Sequence, residues 1–285
     1  MGHNLIIESN LKKHKKLNLL VKKISGMNSL VLAYSGGVDS TFLAAISYYV
    51  LGNNMIAVIA DSPSLPKSEL DYAIKNAKKF KIPYIVIKTQ ELKREDYIKN
   101  NSNRCYFCKD ELYIHLKTIL RDKGFKFIVN GTNFDDLGDH RPGLIAAKNH
   151  TVSSPLAEAC LTKKEIRDLS KLMSLPTWDK PAQACLSSRI PYGTKVSVNS
   201  LNKIEKAETY LHQQGFNQVR VRHHDNIARI EIPQKDFNNL FNENCRKKIT
   251  EYLKSLGYLY VTIDLDGFRS GSLNDVLNLS KKHGG

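Results

Sequence analysis

Six consecutive residues, Ser35-Gly36-Gly37-Val38-Asp39-Ser40, combine two hydroxyls, two glycines and a carboxylate. An apolar run precedes them and a helical pattern follows. A Gly-Gly turn entering a helix points backbone N–H groups at one spot, and the positive end of the helix dipole lies there too. The segment is therefore suited to hold an anion. No G-x-x-x-x-G-K-[ST] occurs in the chain, so the grip is not that of a Walker A loop. A bare corner of small residues is the plainer reading of Gly-Gly alone; the two serines, Asp39 and the strand–helix setting argue against it.

A second group is built from sulfur. Cys105 and Cys108 form a C-x-x-C within Arg104-Cys105-Tyr106-Phe107-Cys108-Lys109, directly ahead of a helical pattern. Two intervening residues let both sulfurs face one centre, and a helix N-terminus beside Arg104 and Lys109 favours the thiolate. Cys185 stands far along the chain in Gln183-Ala184-Cys185-Leu186-Ser187-Ser188-Arg189. The spacing serves a redox pair, a zinc site or an iron–sulfur cluster equally. Three thiolates on a cluster would leave one iron open to an outside ligand. Cys160 and Cys245 have no partner in sequence and read as small buried hydrophobes.

Further groups could meet a phosphorylated ligand. Asn130-Gly131-Thr132-Asn133-Phe134-Asp135-Asp136 follows a strand pattern, and Asp135 or Asp136 could give Mg²⁺ a hard oxygen ligand. An Asp-rich capped turn explains either residue equally well. Arg141-Pro142-Gly143 places a cation beyond that turn. Asp61-Ser62 ends another strand and could meet a nucleoside or simply cap the next helix. Arg220 and Arg222 alternate onto one face of a strand. Two guanidiniums so placed call for an anion between them, either a phosphate or Glu231 across a hairpin.

The elements that must position these residues follow from the pattern. Strands are expected at 30–34, 55–60, 84–88 and 125–130, with helices at 41–49, 66–80 and 106–121 between them. This alternation is the sign of an α/β fold, a parallel sheet with helices on both faces, whose ligands sit at the carboxyl ends of the strands. The Pro-, Ser- and Gly-rich stretch 176–193 reads as a connector. Domains are placed at 1–180 and 194–285, joined by the cysteine-bearing link 181–193. The second domain reads as a smaller α+β unit, with helices at 198–214 and 242–256 and strands at 218–222, 228–232 and 258–264.

Lysines and arginines number 43 against 28 acids, a net charge of +15 and a pI near 9.5. Nucleic acid and highly phosphorylated small molecules are both drawn to such a surface. The lysines are spread along the chain rather than gathered in an arm. The stretch 11–24 has helical apolar spacing among lysines and reads as a solvated helix packed on the domain. No apolar run approaches the ~20 residues of a membrane span. The first residues do not read as a signal peptide, so a cytoplasmic, reducing location is expected. The end, 281–285, reads as frayed.

Taken together, the motifs resemble the PP-loop enzymes (S-G-G-x-D-S), which split ATP into AMP and pyrophosphate. Within that superfamily the chain is similar to the LarE family, ATP-dependent sulfur transferases of nickel-pincer nucleotide biosynthesis. The similarity runs nearly the whole length. It rests on 34–40, Ala60-Asp61-Ser62-Pro63-Ser64, Gly131-Thr132-Asn133 through Asp136, Asp139 and Arg141-Pro142-Gly143. Cys185-Leu186-Ser187-Ser188-Arg189-Ile190-Pro191-Tyr192-Gly193 and Asp264-Leu265-Asp266-Gly267-Phe268-Arg269-Ser270-Gly271-Ser272 are its more specific parts.

The resemblance implies a Rossmann-like PP-loop domain that uses ATP and Mg²⁺. A carboxylate of pyridinium-3,5-dicarboxylate mononucleotide is adenylated, and sulfur then displaces AMP. Ser35, Gly36, Gly37, Asp39 and Ser40 would hold the phosphates, with Asp61, Ser62, Gly131 and Asp136 completing the ATP site. Arg189, Arg220 and Arg222 would form the substrate's phosphate surface. Cys185 falls where the family keeps its working cysteine. Some members give up that sulfur and retain dehydroalanine; others have three cysteines that look like ligands of a [4Fe-4S] cluster with an open iron. Cys105, Cys108 and Cys185 match the second kind, with sulfide or another sulfur donor as partner. A homo-oligomer is expected, a hexamer built from trimers.

Three other readings compete. A cluster-dependent tRNA thiolase of the same superfamily suits the charge, but the chain shows no RNA module and carries D-G-F-R-S-G-S at 266–272. An ammonia-using ligase such as NAD or GMP synthetase would not need Cys105 and Cys108. A non-enzymatic cluster carrier would release no pyrophosphate.

Overall fold

Leu30 and Leu32 are buried in one hydrophobic core and Val31, between them, in another. Side chains of a strand alternate between its faces, so this strand is covered on both sides, as a parallel sheet requires. The computed structural model describes residues 14–138, 142–269 and 271–274. The start of the 11–24 stretch, Asp139, Arg141, Ser270 and the 281–285 end lie outside the described residues. The chain forms two compact units. One holds the chain up to Arg94 together with Asn103–Gln183; the other holds Glu95–Ser102 together with the chain from Ala184 onward.

In the first unit the elements run α1 (Lys15–Met27), β1 (Leu30–Ala33), α2 (Val38–Leu51), β2 (Met55–Asp61), α3 (Lys67–Lys79) and β3 (Tyr84–Lys88). They continue with α4 (Arg104–Lys123), β4 (Phe127–Val129), α5 (Pro142–Asn149) and α6 (Lys163–Leu172). The strands lie in the order β3-β2-β1-β4 and every pairing is parallel. Helices α1, α2, α3 and α6 bury Leu20, Phe42, Ala73 and Ile166 against Leu30, Leu32, Ala57 and Ile59. Helices α4 and α5 bury Leu112, Leu116 and Ala146 against Val31, Val58 and Ile128. Because β1 lies between β2 and β4, the chain leaves it in one direction and returns on its other side. The sheet's switch point thus falls at the carboxyl ends of β1 and β4, where such sheets hold ligands.

Two helix starts differ from the sequence-based bounds. Helix α2 begins at Val38, inside the S-G-G-V-D-S segment, because Gly37 serves as its N-cap in extended backbone. Helix α4 begins at Arg104, so Cys105 and Cys108 lie within its first turns rather than ahead of it. The expected buried state of the two lone cysteines is also corrected. Cys160 is exposed and Cys245 half-buried, since one sits at a left-handed turn (φ 55°) and the other in the outer first turn of a helix. Residues 176–180 belong to the first unit: Arg167 donates to the Trp178 and Lys180 carbonyls at 2.6 and 2.8 Å, and Lys180 pairs with Glu69 at 2.7 Å.

The second unit contains α7 (Val198–Gln213), β5 (Arg220–His224), β6 (Ile227–Glu231), α8 (Glu243–Ser255) and β7 (Tyr260–Ile263). Strands β5 and β6 form an antiparallel hairpin, and β7 joins β6 in parallel after the helical crossover. Val221, Ile230, Leu211 and Leu253 meet in its core. The expected α+β unit is therefore present, with β5 two residues later than expected, β6 one residue earlier and β7 shorter at both ends.

The segment 95–102 is stapled into this unit through Asn100, which is fully buried. Its Nδ2 donates to the Pro191 and Thr194 carbonyls at 2.7 and 2.9 Å, and its own carbonyl accepts from Gly193 N at 3.1 Å. Its backbone is left-handed (φ 54°), a conformation Asn tolerates better than Ala. Asn100→Ala leaves buried carbonyls without a donor and is expected to cost about 2 kcal/mol. A faster hydrogen exchange of the amides at 193–196 checks it. Among the described residues, no helix is long and apolar enough to cross a membrane.

Candidate functional site

The turn after β1 closes on itself. Ser35 Oγ and Ser40 Oγ lie 3.1 Å apart, Ser40 Oγ donates to the Gly37 carbonyl at 3.2 Å, and Ser35 N donates back to Ser40 Oγ at 3.3 Å. The two ends of the motif are thereby tied over its glycines. Gly36 is left-handed (φ 71°), and a Cβ there would fall 2.7 Å from Ala73 Cβ on α3. A side chain would thus collide with a packed helix. The backbone N–H groups at the start of α2 end up in a rigid, narrow turn with the positive helix end behind them.

The turn after β4 meets it. A Cβ on Gly131 would lie 3.0 Å from Ser40 N, so a side chain there would press this turn away from the start of α2. Asn133 Nδ2 reaches Asp39 Oδ1 at 3.4 Å. Asn133 Oδ1 accepts from the amides of Asp135 and Asp136, at 2.9 and 3.2 Å, and Asp136 Oδ2 accepts from Asn133 N. Asp135 Oδ2 accepts from Lys163 N at 2.8 Å, capping α6. The carboxylates of this turn therefore hold its shape.

Sequence reading did not single out Lys163, whose ammonium pairs with Asp39 in the anion loop. The capping box of Thr162 and Glu165 fixes where α6 starts and so aims Lys163 at that loop. The box was readable in the sequence as T-K-K-E; the partner of the lysine was not. A lysine absent from the loop's own sequence is thus delivered to it from another helix. Asp61 ends β2, its carbonyl accepting from Thr89 N at 3.2 Å. Ser62 donates to Glu91 and accepts from Ser64 N at 3.0 Å. Glu91 is 1% exposed, a buried carboxylate that periodicity could not reveal.

Cys105 and Cys108 lie three apart on α4, a spacing that puts both on one side of the helix. Cys105 is exposed and Cys108 half-buried. Further along the same helix, Asp110 accepts from Arg94 and from His150 Nε2, both at 2.7 Å. Burial pushes the Asp110 carboxyl up, but the hydrogen bonds from His150 and Arg94 together outweigh it and hold it below the ordinary carboxylate range. A carboxylate so held stabilises the fold above its unfolded-state pKa, and that contribution is lost as pH falls through the lower folded value. Asp110→Asn is therefore expected to lower the urea midpoint at pH 7 and to flatten its fall below about pH 4.

The other predicted residues lie in the second unit. Arg189 is 1% exposed and forms a two-pronged pair with Glu208, at 2.9 and 3.0 Å. Arg222 pairs likewise with Glu231, at 2.8 and 2.9 Å, and donates to the Ser188 carbonyl and Ser272 Oγ. Glu231 stands opposite Arg220 in the hairpin register but pairs on the diagonal with Arg222. Arg220 lies over the Phe268 ring at 5.2 Å. Burial and the nearby Arg189 guanidinium bring its pKa down to about 10, which still leaves it charged. Among the described residues, the buried guanidiniums of Arg189, Arg220 and Arg222 thus gather around the buried carboxylates of Glu208 and Glu231. Two residues of the D-G-F-R-S-G-S stretch, Gly267 and Ser272, have a structural reason here. Gly267 is left-handed with the Ile232 carbonyl 2.8 Å from where a Cβ would stand, and Ser272 returns to Arg222.

The first unit therefore brings Ser35, Gly36, Gly37, Asp39, Ser40, Gly131 and Asp136 around one switch point, with Asp61 and Ser62 at the end of β2. Cys185, Arg189, Arg220 and Arg222 belong to the second unit. A family model described as NAD synthase matches residues 12–109. The chain is 44% identical over 262 residues to a Synechocystis protein called uncharacterized protein slr1717, across 92% of this chain and 98% of that one. It is 26% identical over 211 residues to a glutamine-hydrolyzing GMP synthase component of Saccharolobus islandicus, across 67% of this chain and 54% of that one. To the pyridinium-3,5-bisthiocarboxylic acid mononucleotide synthase of Lactiplantibacillus plantarum it is 36% identical over 260 residues, covering 90% of this chain and 93% of that enzyme. With that likeness along nine-tenths of both chains and the loop geometry described above, the protein belongs to the LarE family, a branch of the PP-loop superfamily.

Proposed function

We propose that this chain is an ATP-dependent sulfur transferase acting on the carboxylates of a pyridinium-3,5-dicarboxylate mononucleotide. A carboxylate carbon resists nucleophiles until one oxygen becomes a leaving group. In the first step a substrate carboxylate oxygen attacks the α-phosphorus of ATP and pyrophosphate leaves, giving an acyl adenylate. In the second, sulfide attacks the acyl carbon, AMP departs and a thiocarboxylate remains. The observation that carries the reading is the closed anion turn of β1 with Asp39 and Lys163 at its mouth, in a chain alike over nine-tenths of its length to a synthase of that name.

The N–H groups of the turn and the start of α2 hold the departing pyrophosphate. Asp39, with Asp136 nearby, would hold Mg²⁺ through hard oxygens. Lys163 balances Asp39 and adds a cation against the charge that grows on the phosphates. Arg220, in its cationic surroundings, would take the mononucleotide's phosphate.

Cys105, Cys108 and Cys185 are the residues that would hold a [4Fe-4S] cluster. Three thiolates suit iron–sulfur chemistry, and two of them lie on one side of a helix at its positive end. When bound there, the cluster supplies an iron open to sulfide. The positive end of α4 is the kind of setting that favours a thiolate. Pyrophosphate release with Mg·ATP and the dicarboxylate mononucleotide tests the first step, and AMP release on addition of sulfide the second; no pyrophosphate release refutes the reading. The net charge of +15 is the feature that favours a tRNA thiolase. That alternative predicts tRNA binding that collapses with salt and a thiolated base in digests.

A further inference from the structure

Arg189 is placed as no ligand-binding arginine should be. One edge of its guanidinium, Nε and Nη2, faces the Glu208 carboxylate at 2.9 and 3.0 Å. The other, Nη1, donates to the Ala184 carbonyl at 2.7 Å, the Cys185 carbonyl at 2.9 Å and Ser188 Oγ at 3.0 Å. The donors of the fork are thus directed at the protein's own acceptors. The Cys185 carbonyl is held still more firmly, since it also accepts from Ser188 N at 3.0 Å and Ser188 Oγ at 2.7 Å. Three donors converge on the carbonyl of one residue, and that residue is a half-buried cysteine.

Glu208 anchors the clamp. It projects from α7, and its Oε1 also accepts from Val221 N on β5 at 2.9 Å. Strand, helix and cysteine turn therefore meet on one ion pair. Arg222 adds a second tie by donating to the Ser188 carbonyl at 2.6 Å. We infer that Arg189 is a positioning residue that fixes the backbone direction of Cys185, and that it is not a ligand of the substrate's phosphate. Its functional meaning rests on Cys185 being the cysteine that handles sulfur. A thiol that must meet one fixed centre gains from such a hold, because small misplacements cost rate steeply.

The shape of the fork matters as much as its charge. A lysine keeps the charge but offers a compact ammonium with three donors, which cannot span a carboxylate and two carbonyls. Arg189→Lys should therefore loosen the turn. Iodoacetamide labelling of Cys185, followed by peptide mass with Cys160 and Cys245 as internal references, is expected to speed up about fivefold or more as the turn opens locally. Thiocarboxylate formation is expected to fall about tenfold or more in kcat, with the KM for the mononucleotide moving less than about twofold.

Ser188→Ala is the milder variant, losing one donor to the same carbonyl, and decides the matter if Arg189→Lys does not fold. It should speed labelling about threefold. An unchanged labelling rate in both variants overturns the inference. So does a KM raised about tenfold with labelling unchanged, the result for a phosphate ligand. Retained product formation in Cys185→Ala would instead sink the sulfur-transfer role of Cys185 and leave the labelling result standing.

Discussion

Replacing Cys105, Cys108 or Cys185 by serine is expected to abolish thiocarboxylate formation while one pyrophosphate per chain is still released in a single turnover. The two half-reactions draw on different residues. In the proposed mechanism adenylation draws on the turn after β1, Asp39 and Lys163, which are bonded to one another within the first unit. Sulfur delivery needs soft thiolate donors, which serine cannot supply at neutral pH. The variants should therefore stop after the first step and hydrolyse or retain the acyl adenylate. The loss should exceed about 10³-fold, since these residues act as a unit and the effect of one approaches that of all. Rapid-quench measurement of pyrophosphate beside mass analysis of the nucleotide separates the two steps. An ammonia-using ligase would keep full activity in Cys105→Ser and Cys108→Ser.

Lys163→Ala is expected to act on the other half. It removes the cation that faces Asp39 and the anion turn, and pyrophosphate release should fall about 10²- to 10³-fold, the usual cost of losing one preorganised charge at a reacting phosphate. Asp39 would be left without its ammonium partner. In the α6 helix Lys163 holds the first position, where an alanine is tolerated and where the Thr162–Glu165 capping box persists. The variant should fold with an unfolding midpoint close to the parent's. Lys164→Ala, one residue on, serves as control, because Lys164 pairs with exposed Asp168 four residues along the same helix, a bond of small worth. Equal activity in the two variants would remove Lys163 from the site.

The frame was legible because it depends on local pattern. Leu30, Val31 and Leu32 form a continuous apolar run, as strands covered on both faces do, and the turn after them carries its own glycines and hydroxyls. The alternation of strands and helices then requires a parallel sheet. Helix starts were less legible, because Gly37 is a weaker capping residue than serine and Asn103, a residue type that caps well, stands before α4 without making a side-chain cap. Partners distant in sequence were not legible at all. Lys163 meets Asp39 across 124 positions, and Glu91 meets Ser62 across 29. Glu208 looks like one more polar position on a helix, yet it anchors Arg189 and β5 together. Same-face arginines at 220 and 222 announced an anion, and Glu231 was visible across the hairpin as one answer. The balance of guanidiniums against carboxylates became available only once Arg189 and Glu208 joined them.

In the proposed mechanism sulfur reaches the acyl adenylate by way of three cysteines and not out of one. The direct measurement is the intact mass of the chain after many turnovers, prepared without air and supplied with iron and sulfide. Several thiocarboxylates per chain and an unchanged Cys185 are the expected result. A chain lighter by one H₂S at Cys185, with no more than one product per chain, would contradict it.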